Sequence, residues 1–166
     1  MPDFDNQAFD TRAFRDALGC YPTGVAVVTA AGESEASHIG ITVNSFASVS
    51  LDPPLVAFFA GQSSSSWPKI EASGSFCVNV LAEDQEEVSR RFASKDADKF
   101  AGLGWKQAVT GSPLLDGVLA WIDCDIESVT DMGDHRCVLG RVRDLAVGHD
   151  GAPLIFFRGG YGRFTI

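Results

Sequence analysis

Long apolar runs are missing from this sequence of 166 residues, and none approaches the roughly 20 residues that a membrane-spanning helix needs. Positive charge is scarce too. Thirteen Lys and Arg stand against 22 Asp and Glu, which sets the formal net charge at −9 and the pI near 4.6. Nonspecific nucleic-acid binding rests on Lys and Arg displacing counterions from phosphates, so this balance excludes it and also disfavours an anionic membrane surface. The same charge repels anionic cofactors at long range, a tension the rest of the sequence has to resolve. Cysteine is limited to Cys20, Cys77, Cys124 and Cys137. They lie far apart, with no Cys-x-x-Cys pair and no Cys/His cluster at zinc spacing, which argues against a disulfide framework and a metal site. Buried, reduced thiols of a cytoplasmic protein are the expectation. Residues 1–9 are acidic and lack the basic-then-apolar pattern of an export signal.

What is present is a chain that is 45% hydrophobic, of a length at which one domain buries roughly 70% of its unfolded surface. Residues 10–18 read as a helix, with Asp10 as N-cap, Phe14, Ala17 and Leu18 on one face, and Gly19 at its end. Residues 67–72, with Pro68 in the first turn, and 83–93, acidic at the start and closed by Arg90 and Arg91, read as two more. β-Branched and apolar runs predict strands at 24–30, 39–46, 55–60, 75–81, 118–129, 137–147 and 154–157. Pro53-Pro54, Pro113, Gly133-Asp134, Asp150-Gly151 and Gly159-Gly160 punctuate them. Strands follow one another rather than alternating with crossover helices. That order favours a mainly β, antiparallel barrel with inserted helices over a doubly wound sheet.

Generic catalytic motifs are absent: there is no P-loop, no H-E-x-x-H and no G-x-S-x-G. Gly102-Leu-Gly104 begins like a dinucleotide fingerprint but lacks the third glycine and a preceding strand, so it reads as a turn. An enzyme of this composition would leave much of its chemistry to a bound cofactor. The unusual segment is Gly40-Ile-Thr-Val-Asn-Ser-Phe-Ala-Ser-Val-Ser-Leu-Asp-Pro-Pro-Leu-Val, a strand-forming run that carries hydroxyls and an amide before two prolines. Composition alone leaves open whether these groups meet a polar ligand or bond their own backbone at an edge or turn.

Three further stretches accompany it: Pro22-Thr-Gly-Val-Ala-Val-Val-Thr, Ser75-Phe-Cys-Val-Asn-Val-Leu followed by Ala82-Glu-Asp-Gln, and Gly133-Asp-His135. Together they make the chain resemble the small flavin reductases of two-component flavin-dependent monooxygenases, from about Phe14 to Phe164. The resemblance implies one flavin reductase-like domain over 1–166 with an FMN-binding split β-barrel, working as a cytoplasmic homodimer. It implies that NADH or NADPH reduces FMN or FAD, which then serves a separate oxygenase component. The lack of an Arg cluster for a 2′-phosphate leans towards NADH.

The same resemblance implies flavin contacts at Thr42, Val43, Asn44 and Ser45, continued by Ser48, Val49 and Ser50, with Thr23 and Gly24 at a close backbone approach. It implies a phosphate side at Ser63, Ser65, Ser66 and Trp67, where hydroxyls meet a helix start and Arg91 adds charge. His135 and Tyr161 are the implied nicotinamide contacts. Hydride passes between two cofactors, so neither a catalytic nucleophile nor an acid–base pair is expected. A flavin carrier or sensor without turnover, and a haem- or pyridoxal-phosphate-binding relative of the barrel, are the alternatives left open.

Overall fold

The computed structural model describes residues 10–95 and 98–164. After helix α1 (Thr11–Leu18) come strands β1 (Thr23–Gly24), β2 (Ala26–Ala30), β3 (Ile39–Val43), β4 (Ala47–Leu51) and β5 (Pro54–Gly61). Helix α2 (Trp67–Ser73), strand β6 (Ser75–Val80) and helix α3 (Glu86–Ala93) follow, then the short pair β7 (Trp105–Gln107) and β8 (Pro113–Leu115). Two long strands, β9 (Ala120–Met132) and β10 (His135–Val147), precede β11 (Leu154–Phe157) and β12 (Gly160–Arg163). The main sheet has seven strands in the order β3-β2-β6-β9-β10-β5-β4, paired antiparallel throughout. β1 joins β11 and β12 in a second, three-stranded sheet. No helix among the described residues is long and apolar enough to cross a membrane.

The apolar runs form central strands because the sheet is covered on both faces. All five residues of β2 are buried, and successive side chains of a strand point to opposite sides. Ala26, Val28 and Ala30 join Phe58, Phe76, Val78 and Val138 in one core, while Val27 joins Cys77, Leu81, Phe92, Leu114 and Leu154 in the other. A strand between two cores has no water-facing side, so polar alternation disappears. Gly140 on β10 lets the strands close over the first core: a Cβ there would collide with the Phe76 ring. Buried Asn79 ties the second core together, its amide donating to Val27 O at 3.2 Å and its carbonyl accepting from Leu115 N–H at 2.8 Å.

The sheet order explains the split. β3 and β4 are its opposite edges, yet only Asn44, Ser45 and Phe46 separate them in the chain. A linker of that length spans on the order of 14 Å at most. The sheet therefore curls until its edges nearly meet. Ser45 bridges the gap, its hydroxyl accepting from Phe59 N–H at 3.0 Å and donating to Phe59 O at 3.2 Å.

This seam corrects the expectation of one strand over 39–46: the chain breaks after Val43, and the edge strand β4 begins at Ala47. The run 24–30 likewise divides at Val25, α3 begins at Glu86 rather than 83, and β10 begins at His135 rather than 137. Cys77 and Cys124 are buried and Cys137 half-buried, all unpaired as expected, but Cys20 is exposed. Burial, aided by the Asp123 carboxylate, pushes the Cys124 thiol up to about 12 and raises that of Cys77 as well.

Candidate active site at the barrel split

Beside the seam lies a cavity of about 510 Å³, within the size range of small-molecule and cofactor sites. Six parts of the chain line it: residues 41–45 at the end of β3, 59–61 at the end of β5, the serine loop 63–66, residues 92–95 at the end of α3, Lys99, and His135. Ile41, Val43, Phe59 and Phe92 give it apolar walls. Its polar groups are hydroxyls, the Asn44 amide, the His135 imidazole and the ammonium groups of Lys95 and Lys99, with no carboxylate among the described lining residues. A protein of net charge −9 therefore presents a locally cationic pocket, which removes the conflict with an anionic ligand at short range.

Lys99 is fixed where α3 ends: its Nζ donates to Phe92 O at 2.9 Å and to Gly40 O at 3.2 Å. Helix-terminal carbonyls lack intrahelical partners, so a lysine caps them and ties α3 to β3. Thr42 strengthens the same junction, donating to Ser89 O at 2.6 Å. Its oxygen keeps acceptor capacity. Ser64 accepts from Trp67 N–H at 3.3 Å. The hydroxyls of Ser63, Ser65 and Ser66 take no partner among the described residues.

His135 opens β10 opposite Gly61, and its Nδ1 lies 2.6 Å from Asp134 Oδ1. A carboxylate only accepts, so Nδ1 carries the proton, and in the neutral ring Nε2 is left as an acceptor. That nitrogen lies near Gly61, where a Cβ would make only ordinary contact with it at 3.8 Å. The hydrogen bond from His135 holds the Asp134 carboxyl below its ordinary range, with a smaller contribution from the charge of Arg15.

Of the expected site residues, Thr42, Val43, Asn44, Ser45, Ser63, Ser65, Ser66 and His135 line this one cavity. The other expected site residues lie outside the cavity lining. Thr23 and Gly24 pair with Phe156 and Ile155 in the small sheet, where the Thr23 hydroxyl is buried without a partner. Ser48, Val49 and Ser50 lie on the edge strand β4. Trp67 is buried against Phe58, Arg91 donates to Ala101 O at 2.6 Å, and the Tyr161 hydroxyl bonds Ser89 Oγ at 2.8 Å.

Sequence reasoning missed Lys95, Lys99 and the 59–61 segment of the lining. The one local signal was the pair Ser94-Lys95 directly after a helix closed by two arginines. It showed a cationic helix end but not the strand it faces.

Comparison with known proteins agrees with this geometry. Residues 18–165 match the flavin reductase like domain model. The chain belongs to that family. A flavin reductase from Pseudomonas putida is 55% identical over 158 residues, covering 95% of this chain and 92% of that protein. The reductase subunit of a flavin-dependent monooxygenase from Rhodococcus jostii is 48% identical over 155 residues, 93% of this chain and 78% of that protein. Among solved structures, nitrilotriacetate monooxygenase component B from Mycobacterium thermoresistibile superposes with a TM-score of 0.90 at 47% identity, covering 94% of this chain and 87% of its own. An NADH:FAD oxidoreductase from Streptomyces globisporus, solved in complex with NAD and FAD fragments, gives 0.88 at 35% identity, covering 94% and 93%. The expected antiparallel split-barrel fold is thereby borne out.

Proposed function

We propose that the protein is an NAD(P)H-dependent flavin reductase, using NADH in preference to NADPH, that reduces FMN or FAD and supplies it to a separate oxygenase component. The observation that carries this reading is the cationic, hydroxyl-rich pocket with apolar walls in a strongly acidic chain of the flavin reductase family. A flavin is a flat, largely apolar ring system with a polar edge and a phosphate-bearing tail, and the donor set matches each part. Ile41, Val43 and Phe59 hold the ring and exclude water, and Asn44 and the free lone pairs of Thr42 meet its polar edge. Ser63, Ser65, Ser66 and Lys95 hold the phosphate. His135 orients the nicotinamide substrate through Nε2, its tautomer fixed by Asp134.

When bound, the two cofactors supply the hydride chemistry, so the chain's own residues bind, orient and dry the site rather than act as acid or nucleophile. Thr23, Gly24, Ser48, Val49, Ser50, Trp67, Arg91 and Tyr161 serve the frame around it. The chain works as a homodimer in the cytoplasm. Support for the dimer comes from the exposed apolar side chains of α1 and β4, namely Leu18, Val49 and Leu51, and light scattering gives the mass directly.

The decisive assay mixes the protein with NADH or NADPH and FMN or FAD and follows the loss of reduced-nicotinamide absorbance. Flavin-dependent oxidation well above the protein-free rate is expected. No such oxidation with any of the four pairs would overturn the reading.

A further inference from the structure

Gln62 is exposed and stands outside the cavity lining, yet it grips the turn that carries His135. Its backbone N–H donates to Asp134 O at 3.0 Å, and its Nε2 donates to Gly133 O at 3.1 Å. These are consecutive carbonyls of the β9–β10 turn, where Gly133 takes the left-handed φ of 63°. Residues 130–135 are all exposed, so the tip of this hairpin has no core packing of its own, and surface turns of that kind are ordinarily the mobile part of a fold.

On its other side Gln62 begins the serine loop. Gly61, which faces His135 in the β5–β10 ladder, accepts Ser64 N–H at 3.0 Å. Residues 61 and 62 therefore hold the turn, and in the loop after them Ser64 caps Trp67 N–H while the hydroxyls of Ser63, Ser65 and Ser66 are unengaged among the described residues. Anything that orders the serine loop also fixes the direction in which Gln62 leaves it.

We propose that Gln62 is a positioning residue: an anion seated on the 63–66 loop fixes the turn through Gln62 and so sets His135 for the nicotinamide substrate. The inference rests on reading the cavity as the flavin site. Linkage makes the coupling reciprocal, so an immobilised turn also favours the ordered loop. The anionic group is the flavin's phosphate. Flavin reduction thus senses, through the loop, whether the flavin is phosphorylated.

The test compares FMN with riboflavin, which has the same ring and no phosphate, each at saturation, and measures the KM for NADH. One exposed hydrogen bond transmits an effect of about two- to tenfold. In the native protein the NADH KM is expected to be about fivefold lower with FMN than with riboflavin. Gln62→Met keeps the length of the side chain but loses the donor, and Gln62→Glu presents an acceptor to Gly133 O. In both variants the fivefold ratio is expected to fall towards one, while FMN still binds by fluorescence quenching and the melting temperature stays within about two degrees. A ratio that keeps its native value in both variants, or a native ratio of one, overturns the proposal. No flavin reduction by the native protein would instead overturn the functional reading on which it rests.

Discussion

On the β3 side of the cavity, the hydroxyls of Thr42 and Ser45 are committed to the protein's own backbone, at Ser89 O and at both polar groups of Phe59. On the opposite side, the hydroxyls of Ser63, Ser65 and Ser66 are uncommitted among the described residues. The residue types are the same, and the difference comes from what lies behind them. Thr42 ties β3 to a carbonyl of α3, and Ser45 meets the stretch of β5 that runs past the start of β4, where backbone N–H and C=O groups lack a strand partner on that side and a nearby hydroxyl supplies it. The loop before α2 runs over the surface, where water meets its groups until a ligand displaces it. One bank builds the cavity and the other is left to bind.

Three substitutions sharpen or break that contrast. Ser45→Ala has the largest expected effect, a loss of about 1–2 kcal/mol of stability, because Phe59 N–H and C=O lose their shared partner. Urea unfolding measures it, and a native-like midpoint would show that the seam does not depend on this hydroxyl. Lys95→Glu comes next. It reverses the one exposed ammonium group of the lining, so the KM for FMN is expected to rise about five- to tenfold, less at high salt as the charge is screened. An unchanged KM would mean that hydroxyls alone hold the phosphate. Smallest is Ser65→Ala, with an expected twofold rise in the KM for FMN, none for riboflavin, and no loss of stability. Destabilisation equal to that of Ser45→Ala would erase the distinction between the banks.

Much of the frame was readable because burial on both faces leaves a largely apolar run, as in Ala26–Ala30, where Thr29 is the exception, and Ser75–Val80, where Ser75 and Asn79 are. β4 escaped because the expected strand ended at Phe46, which left Ser48, Val49 and Ser50 as the hydroxyl-bearing end of a run closed by two prolines. The break is set by Ser45 meeting Phe59, a contact between residues 14 apart. His135 was legible as a member of a motif and the serine loop as hydroxyls before a helix start, while Lys95 and Lys99 line the cavity only because the end of α3 packs on β3. Arg91 and Tyr161 show the converse. Their types announce polar contacts, but the partners, Ala101 O and Ser89 Oγ, are chosen by how the loop after α3 and the strand β12 fold back.

The buried thiols have a consequence for durability. Reduced flavin released into aerated water reacts with oxygen and yields hydrogen peroxide, so a protein that makes it works beside its own oxidant. Peroxide attacks thiolates, and Cys77 and Cys124, buried with their thiols held protonated, present none. Cys20, just past the end of α1, is exposed, so oxidation there would disturb no packed core side chain.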